Sequence, residues 1–80
     1  MIKNQYVVLV SERDLYVCAP MTFPNVIQKN AILEIVNFYY KEFNLPKNDF
    51  KLYEIFCFED YCDALKFFLK RFKRIITKLE

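Results

Sequence analysis

The sequence predicts a small α+β domain in which a three-stranded sheet packs with two helices in the order ββαβα. Its 80 residues suffice for a single domain, residues 1–80, with one modest core. Hydrophobic residues make up 55% of the chain, which excludes a disordered polypeptide. The apolar residues form strand-like runs in some segments and recur at helical spacing in others, and this alternation predicts the order of the elements.

Two apolar runs near the start of the chain predict a β-hairpin. Residues 6–10 are rich in β-branched side chains, which favours a strand. Residues 11–14 are polar and predict a turn, and residues 15–19 predict the return strand, which Pro20 ends. Because both runs are continuously apolar, we expect both faces of the hairpin to be at least partly covered.

A first helix is expected over residues 26–43, with Thr22 or Asn25 as its N-terminal cap. A single stripe at helical spacing predicts its buried face, which consists of Ile32, Ile35, Val36, Tyr39 and Phe43. Residues 44–49 contain Pro and Asn and predict the break that ends this helix.

The second half of the chain predicts a third strand over residues 50–58 and a final helix that Asp60 caps. Asp63 lies in the first turn, where a carboxylate favours the positive end of the helix. Steps of three and four residues define the stripe that we expect to face the sheet: Tyr61, Leu65, Phe68, Phe72, Ile75 and Leu79.

The residue types that are missing from this chain argue against catalysis. There is no His, which most general acid–base and nucleophilic mechanisms use, and no Gly, which the backbone of a phosphate-binding loop requires. The acidic residues Glu54, Glu59, Asp60 and Asp63 are close in sequence, but carboxylates cap helices more often than they form metal sites. We therefore expect no enzyme activity, no catalytic or metal-binding residues and no cofactor.

Three cysteines and the lengths of the apolar runs bear on the compartment. Cys18, Cys57 and Cys62 form no CxxC pair, and an odd number does not suit a disulfide framework. We interpret them as small buried apolar residues in a reducing compartment. No signal peptide is recognisable and no apolar run approaches transmembrane length, so a cytoplasmic location without membrane contact is expected. The bias toward Lys, Asn, Ile, Phe and Tyr is typical of A/T-rich genes such as those of phages and other mobile elements, which would place the protein in the host cytoplasm.

The final helix carries the candidate binding surface, although the net charge of the chain is only +2. The candidate residues are Phe67, Lys70, Arg71, Arg74 and Lys78, which fall outside the apolar stripe. A ring among these cations could stack a nucleic-acid base while the cations hold phosphate. It could equally anchor an acidic protein partner, or the surface could be a solvated cationic face with the ring under the lysine stems. On the first helix, Ile27 and Phe38 lie away from the main stripe and form a candidate interface, or part of the core if that helix lies between two layers.

The order ββαβα and the spacing from Tyr6 to Tyr16 resemble the GIY-YIG nuclease domain, whose hairpin carries two tyrosines about ten residues apart. Residues 56–60 followed by residues 63–66 are similar to the last strand and helix of that family. The resemblance spans most of the chain.

Three positions depart from the pattern of this family. Cys18 stands where the YIG triplet has Gly, the helix arginine of the family would fall near Val26, and its metal-binding glutamate would fall near Phe68. The resemblance therefore implies a DNA-binding relic without nuclease activity.

The sequence favours a small non-catalytic interaction module of the inhibitor or adaptor type that acts by protein–protein contact. An aromatic content of 19% is hard to bury in a domain this small, and exposed patches would indicate a partner or self-association, whereas the alternative is a dense core of Phe and Tyr without such a patch. Nucleic-acid binding through the basic final helix is the alternative, and a homodimer is also open.

Overall fold

The structure, a computed structural model, describes residues 3–42 and 53–79, with the backbone alone for residues 40–42. It confirms the predicted small α+β class: a sheet of four antiparallel strands packs with two helices. In chain order the elements are β1 (Asn4–Ser11), β2 (Tyr16–Val17), β3 (Met21–Pro24), α1 (Lys29–Glu42), β4 (Glu54–Phe58) and α2 (Tyr61–Leu79).

The strand β1 is the centre of the sheet. It pairs with β4 along one edge, and with β2 and β3 one after the other along the opposite edge. Val10 pairs with Val17 and Val7 pairs with Met21, so two residues of β1 face the three residues 18–20. One extra residue on one strand is a β-bulge. The predicted return strand does not end at Pro20. It is split by the bulge into β2, which ends at Val17, and β3, which begins at Met21, so the sheet has four strands instead of the expected three.

The predicted start of the first helix is wrong, because residues 22–24 belong to β3 and α1 begins at Lys29. The backbone N–H of Asn25 donates to the Lys3 carbonyl at 2.8 Å, so this residue lies in a turn and does not cap the helix. Pairing with β1 along the sheet edge outweighs the local capping signal, as tertiary contacts often do. The side chain of Gln5 fastens the turn by donating to the carbonyls of Pro24 and Ile27 at 3.0 and 2.8 Å.

The core lies on both faces of β1, as the apolar runs predict. Residues 7–10 are at most 1% exposed, although their side chains alternate between the two faces of the sheet. Val7 and Leu9 pack with Ile32, Leu33 and Val36 of α1. Val8 and Val10 pack with the buried Ala64 of α2 on the other face. The domain therefore has three layers, with one helix on each face of the sheet.

The third strand and the cap of the last helix agree with the sequence where the structure describes them. β4 covers the second half of the predicted strand 50–58. Residues 50–52 of that predicted strand and the predicted break at 44–49 lie outside the described residues. Asp60 caps α2 as predicted: its carboxylate accepts a hydrogen bond of 2.7 Å from the Cys62 N–H. Its carbonyl accepts the Ala64 N–H at 3.2 Å.

Candidate functional site

The face that α2 turns to the sheet is rotated from the face that the sequence predicts. Ala64 and Ile75 are buried, and Phe67 and Phe68 pack against the strand residues of the same core. Of the predicted stripe, Ile75 is buried and Phe68 packs against the core as predicted, whereas Tyr61, Phe72 and Leu79 are exposed. The small side chain of Ala64 lets the helix approach the sheet closely, and the Phe67 ring fills the space toward β4.

The sequence predicts Phe67 outside the buried face, and the structure corrects this. Its ring centroid lies 4.6 Å from that of Phe56 and 5.3 Å from that of Phe58. The guanidinium of Arg71 covers the outer side, 5.7 Å from the Phe56 ring and 5.3 Å from the Phe67 ring. Phe67 is therefore partly buried and packs against the core, with Arg71 over the side that a base would need for stacking.

Three of the four basic residues of the candidate row converge on one carboxylate. Glu12, in the turn after β1, lies 3.4 Å from Arg71, 3.3 Å from Arg74 and 3.1 Å from Lys78. The hydrogen bond from Lys78 and the charges of the three cations lower the pKa of Glu12 below its ordinary value. Sequence reasoning missed Glu12 because it is 59 residues from the first of these cations and 66 residues from the last.

The turn that presents Glu12 is held by its own hydrogen bonds. The hydroxyl of Ser11 accepts the N–H of Asp14 at 3.1 Å, and the Glu12 carbonyl accepts the N–H of Leu15 at 3.3 Å. Leu15 closes the turn with a φ of 52°, in the left-handed region that Gly or Asn normally occupies. In this chain a residue with a large branched side chain takes this position instead.

A second apolar stripe on α2 is left open to solvent. This α2 strip consists of Leu65, Leu69, Phe72, Ile76 and Leu79, which follow one another at intervals of four and three residues. Leu69 is 53% exposed and Leu79 is 65% exposed, while Phe72 and Ile76 are also exposed and Leu65 is half-buried. The strip lies beside the buried face of α2, and its Phe72 ring stacks on Phe68 with the centroids 5.7 Å apart.

Lysines follow the outer border of the α2 strip. Lys66 lies three residues before Leu69, and Lys73 lies three residues before Ile76, so each neighbours the strip on the helix surface. Lys70 lies one step further from the strip. All three are exposed, and none has a carboxylate within 4 Å among the residues that the structure describes.

The two candidate interface residues of the first helix region have different environments. Ile27 packs against the core on the α1 face, so it follows the alternative in which this residue is part of the core. Phe38 is 64% exposed, and its ring centroid lies 6.4 Å from that of Tyr39. Tyr39, which the sequence places on the buried stripe, is exposed as well.

The cysteines are all free thiols, but they are not all buried as predicted. Cys18 lies at the bulge, where its Sγ accepts the N–H of Leu9 at 3.0 Å, and burial raises the pKa of its thiol. Burial also raises the pKa of the Cys57 thiol. Cys62 is exposed at the start of α2, which corrects the prediction for this residue.

The two hairpin tyrosines that carry the family resemblance lie on opposite faces of the sheet. Tyr6 packs on the α2 face, with its ring against Tyr61 at 5.5 Å, whereas Tyr16 packs on the α1 face against Tyr53 at 5.7 Å. They do not converge on one site. Within residues 3–42 and 53–79, no three Cys, Asp or Glu side chains are grouped in a way that could hold a metal ion.

Neither helix, over its described residues, combines the length and apolar character that a bilayer span requires. Protein-family models, curated proteins and solved structures were compared with this chain, and none of them matches it. The α2 strip and its lysine border are therefore the features from which a function can be inferred.

Proposed function

We propose that this chain is a non-catalytic interaction module that binds a protein partner through the α2 strip. The observation that carries the proposal is the row of exposed side chains from Leu69 to Leu79, at helical spacing and beside lysines without acidic partners among the described residues. Single exposed apolar residues are common on protein surfaces, but a contiguous row bordered by charge marks an interaction site.

The core does not explain why the strip is apolar. α2 already buries Ala64, Ile75 and most of Phe67 on the sheet, so it is anchored through another face. An exposed apolar row contributes little to folding and favours aggregation. A partner that covers the row accounts for its composition, since burial of apolar surface is the dominant favourable term in protein association.

A protein fits this surface better than a nucleic acid does. Binding of a nucleic acid would use Phe67 for stacking and Arg71, Arg74 and Lys78 for phosphate. The ring is packed in the core, and the three cations already surround Glu12. A polyanion offers no apolar surface to the strip, whereas a protein surface can supply apolar and acidic groups together.

The proposal includes an inhibitor or adaptor role in a reducing cytoplasm. Cys18, Cys57 and Cys62 are all free, and an exposed thiol such as that of Cys62 suits a compartment that keeps thiols reduced.

The test is affinity capture from native lysate with three baits, and the lysate is used with and without nuclease treatment. The wild-type chain is compared with the double variant Leu69→Ser/Phe72→Ser, and with Val26→Ser, which removes an even more exposed apolar side chain from the turn before α1. A nuclease-treated lysate is run in parallel. We expect a protein that the wild type and Val26→Ser retain with and without nuclease, and that the double variant loses.

Circular dichroism of each bait shows whether it is folded. Equal retention by the double variant would show that the α2 strip is not the docking surface. Loss of the captured protein after nuclease treatment would instead assign the surface to nucleic acid.

A further inference from the structure

We infer that the partner presents an acidic amphipathic helix of about four turns, which lies lengthwise along the α2 strip. This inference rests on the proposed function, and it adds the shape and charge of the element that the strip recognises. It follows from the period of the strip, its position relative to the sheet and the sign of the charges along its border.

The period and the length of the strip suit a helix. Its residues alternate steps of four and three from Leu65 to Leu79, which is the heptad spacing by which one helix packs its side chains against another. At about 1.5 Å per residue the strip is roughly 21 Å long, the length of a helix of about four turns. An extended strand has a period of two and would match only some of these side chains.

The position of the strip leaves space for such a helix beside α2. Phe67 points toward β4, and Leu69, two residues later and about 200° round the helix, points away from β4. Thr22 of β3 pairs with Tyr6, which packs on the α2 face of the sheet, so both residues share that face. Thr22 is exposed, so α2 does not cover the sheet as far as this part of β3.

The charges decide which kind of helix the strip fits. A helix packed on the strip would place its flanking residues next to Lys66 and Lys73, and carboxylates there would form ion pairs that give orientation and specificity. A second copy of this chain fits poorly, because an antiparallel pair of α2 helices would bring the lysine borders of the two copies together. An acidic partner helix avoids this repulsion.

Two designed peptides test the inference directly, since they reproduce the expected helix and vary only its charge. One is a helical peptide of three heptads with Leu at a and d and Glu at e and g, and the other replaces each Glu by Lys. Fluorescence anisotropy with labelled peptide measures the dissociation constants for the wild-type chain. We expect the Glu peptide to bind at least about tenfold more tightly than the Lys peptide, with a preference that falls as salt increases.

Charge reversal provides the matched control. Lys66→Glu/Lys73→Glu should invert the preference between the peptides, whereas Lys3→Glu/Lys29→Glu, with the same change in net charge away from the strip, should keep it. Leu69→Ser/Phe72→Ser should weaken the binding of both peptides.

Three results would overturn the inference. Equal affinity for the two peptides would show a strip that is indifferent to charge, and absence of binding would show that it does not accept a helix. Dimerisation of the free chain that Leu69→Ser/Phe72→Ser abolishes, measured by analytical ultracentrifugation, would assign the strip to a second copy. Capture of a partner by the strip in the lysate experiment would still support the proposed function after either of the first two results.

Discussion

At the scale of single residues, Glu12 determines how the basic row of α2 behaves. A single carboxylate from the turn after β1 meets Arg71, Arg74 and Lys78, so these cations tie the C-terminal half of α2 to the sheet. Surface ion pairs contribute little singly, but a network around one anion is more effective. The sequence presents these cations as a candidate binding surface or a solvated face, whereas the structure gives them an internal partner.

Glu12→Gln should remove a part of the stability that depends on pH. The pKa of Glu12 is lowered in the folded state below its ordinary value of 4.5, so its contribution is complete above about pH 4.5 and is lost as the pH falls through the lowered pKa. Thermal unfolding of the wild type and Glu12→Gln should therefore differ at neutral pH, with the variant less stable. The difference should shrink as the pH falls below 4.5 and as salt is added.

Glu34→Gln is the control, because Glu34 is exposed on α1 and has no basic partner within 4 Å among the described residues. It should leave the unfolding temperature nearly unchanged at every pH. A gap between Glu12→Gln and the wild type that stays constant from about pH 7 to about pH 3 would show that the ion-pair network contributes nothing.

At the scale of elements, α2 shows why a helical stripe can be assigned to the wrong face. Two apolar stripes, one through Ala64 and Ile75 and one through Leu69 and Phe72, run along neighbouring sides of this helix. Periodicity gives both the same signal, and the predicted stripe combined them, since it included Ile75 from the buried stripe and Phe72 from the exposed one. The close fit of Ala64 on the sheet depends on the strands beneath it, which a pattern within α2 does not contain.

In the turn between β1 and β2, Gly should be more stabilising than Ala, which reverses the usual order of these two residues. Ala is normally more favourable than Gly by roughly 0.5–1 kcal/mol in regular structure. At position 15 the φ of 52° penalises any residue with a Cβ by about 1–2 kcal/mol. Leu15→Gly should therefore be more stable than Leu15→Ala by about 1 kcal/mol in urea unfolding.

Both variants remove the same partly exposed side chain, so the loss of packing cancels between them. A variant Leu15→Ala that is as stable as Leu15→Gly would mean that the turn relaxes out of the left-handed conformation. The same pair at Val26, a turn residue for which no positive φ is found, should show no preference for Gly.

At the scale of the whole molecule, stability and recognition use different apolar residues. The core gathers on β1, whose residues from Val7 to Val10 are covered by a helix on each side of the sheet. The α2 strip lies outside this arrangement. A domain of this size has a net stability of only about 4–12 kcal/mol, so its core residues and its surface residues should differ sharply in their sensitivity to truncation.

Two truncations of the same residue type compare the core with the strip. Leu9→Ala removes a fully buried side chain from β1 and should cost about 3–5 kcal/mol, enough to unfold much of the protein. Leu69→Ala removes a side chain that is 53% exposed and should change the free energy of unfolding by no more than about 0.5 kcal/mol. Chemical denaturation measures both, and a large loss for Leu69→Ala would make the strip part of the core.

The sequence by itself determined the α+β class, the apolar strand that became β1, the Asp60 cap of α2 and the period of both helices. These features depend on residues close together in the chain, namely the run of β-branched side chains, a carboxylate before a helix and intervals of three and four. Three residues of the α2 strip, Leu65, Phe72 and Leu79, belong to the stripe that the sequence assigns to the core, whereas Leu69 and Ile76 do not.

Only the tertiary structure decided which face of α2 is buried, that Phe67 belongs to the core and that Glu12 neutralises part of the basic row. It also decided that residues 21–24 form a strand and that α1 begins at Lys29 rather than at residue 26. Each of these outcomes depends on contacts between segments distant in the chain, such as Glu12 with Lys78 or Met21 with Val7. Local propensities differ by only fractions of a kcal/mol per residue, so the pairing of β1 and the packing on its two faces outweigh them.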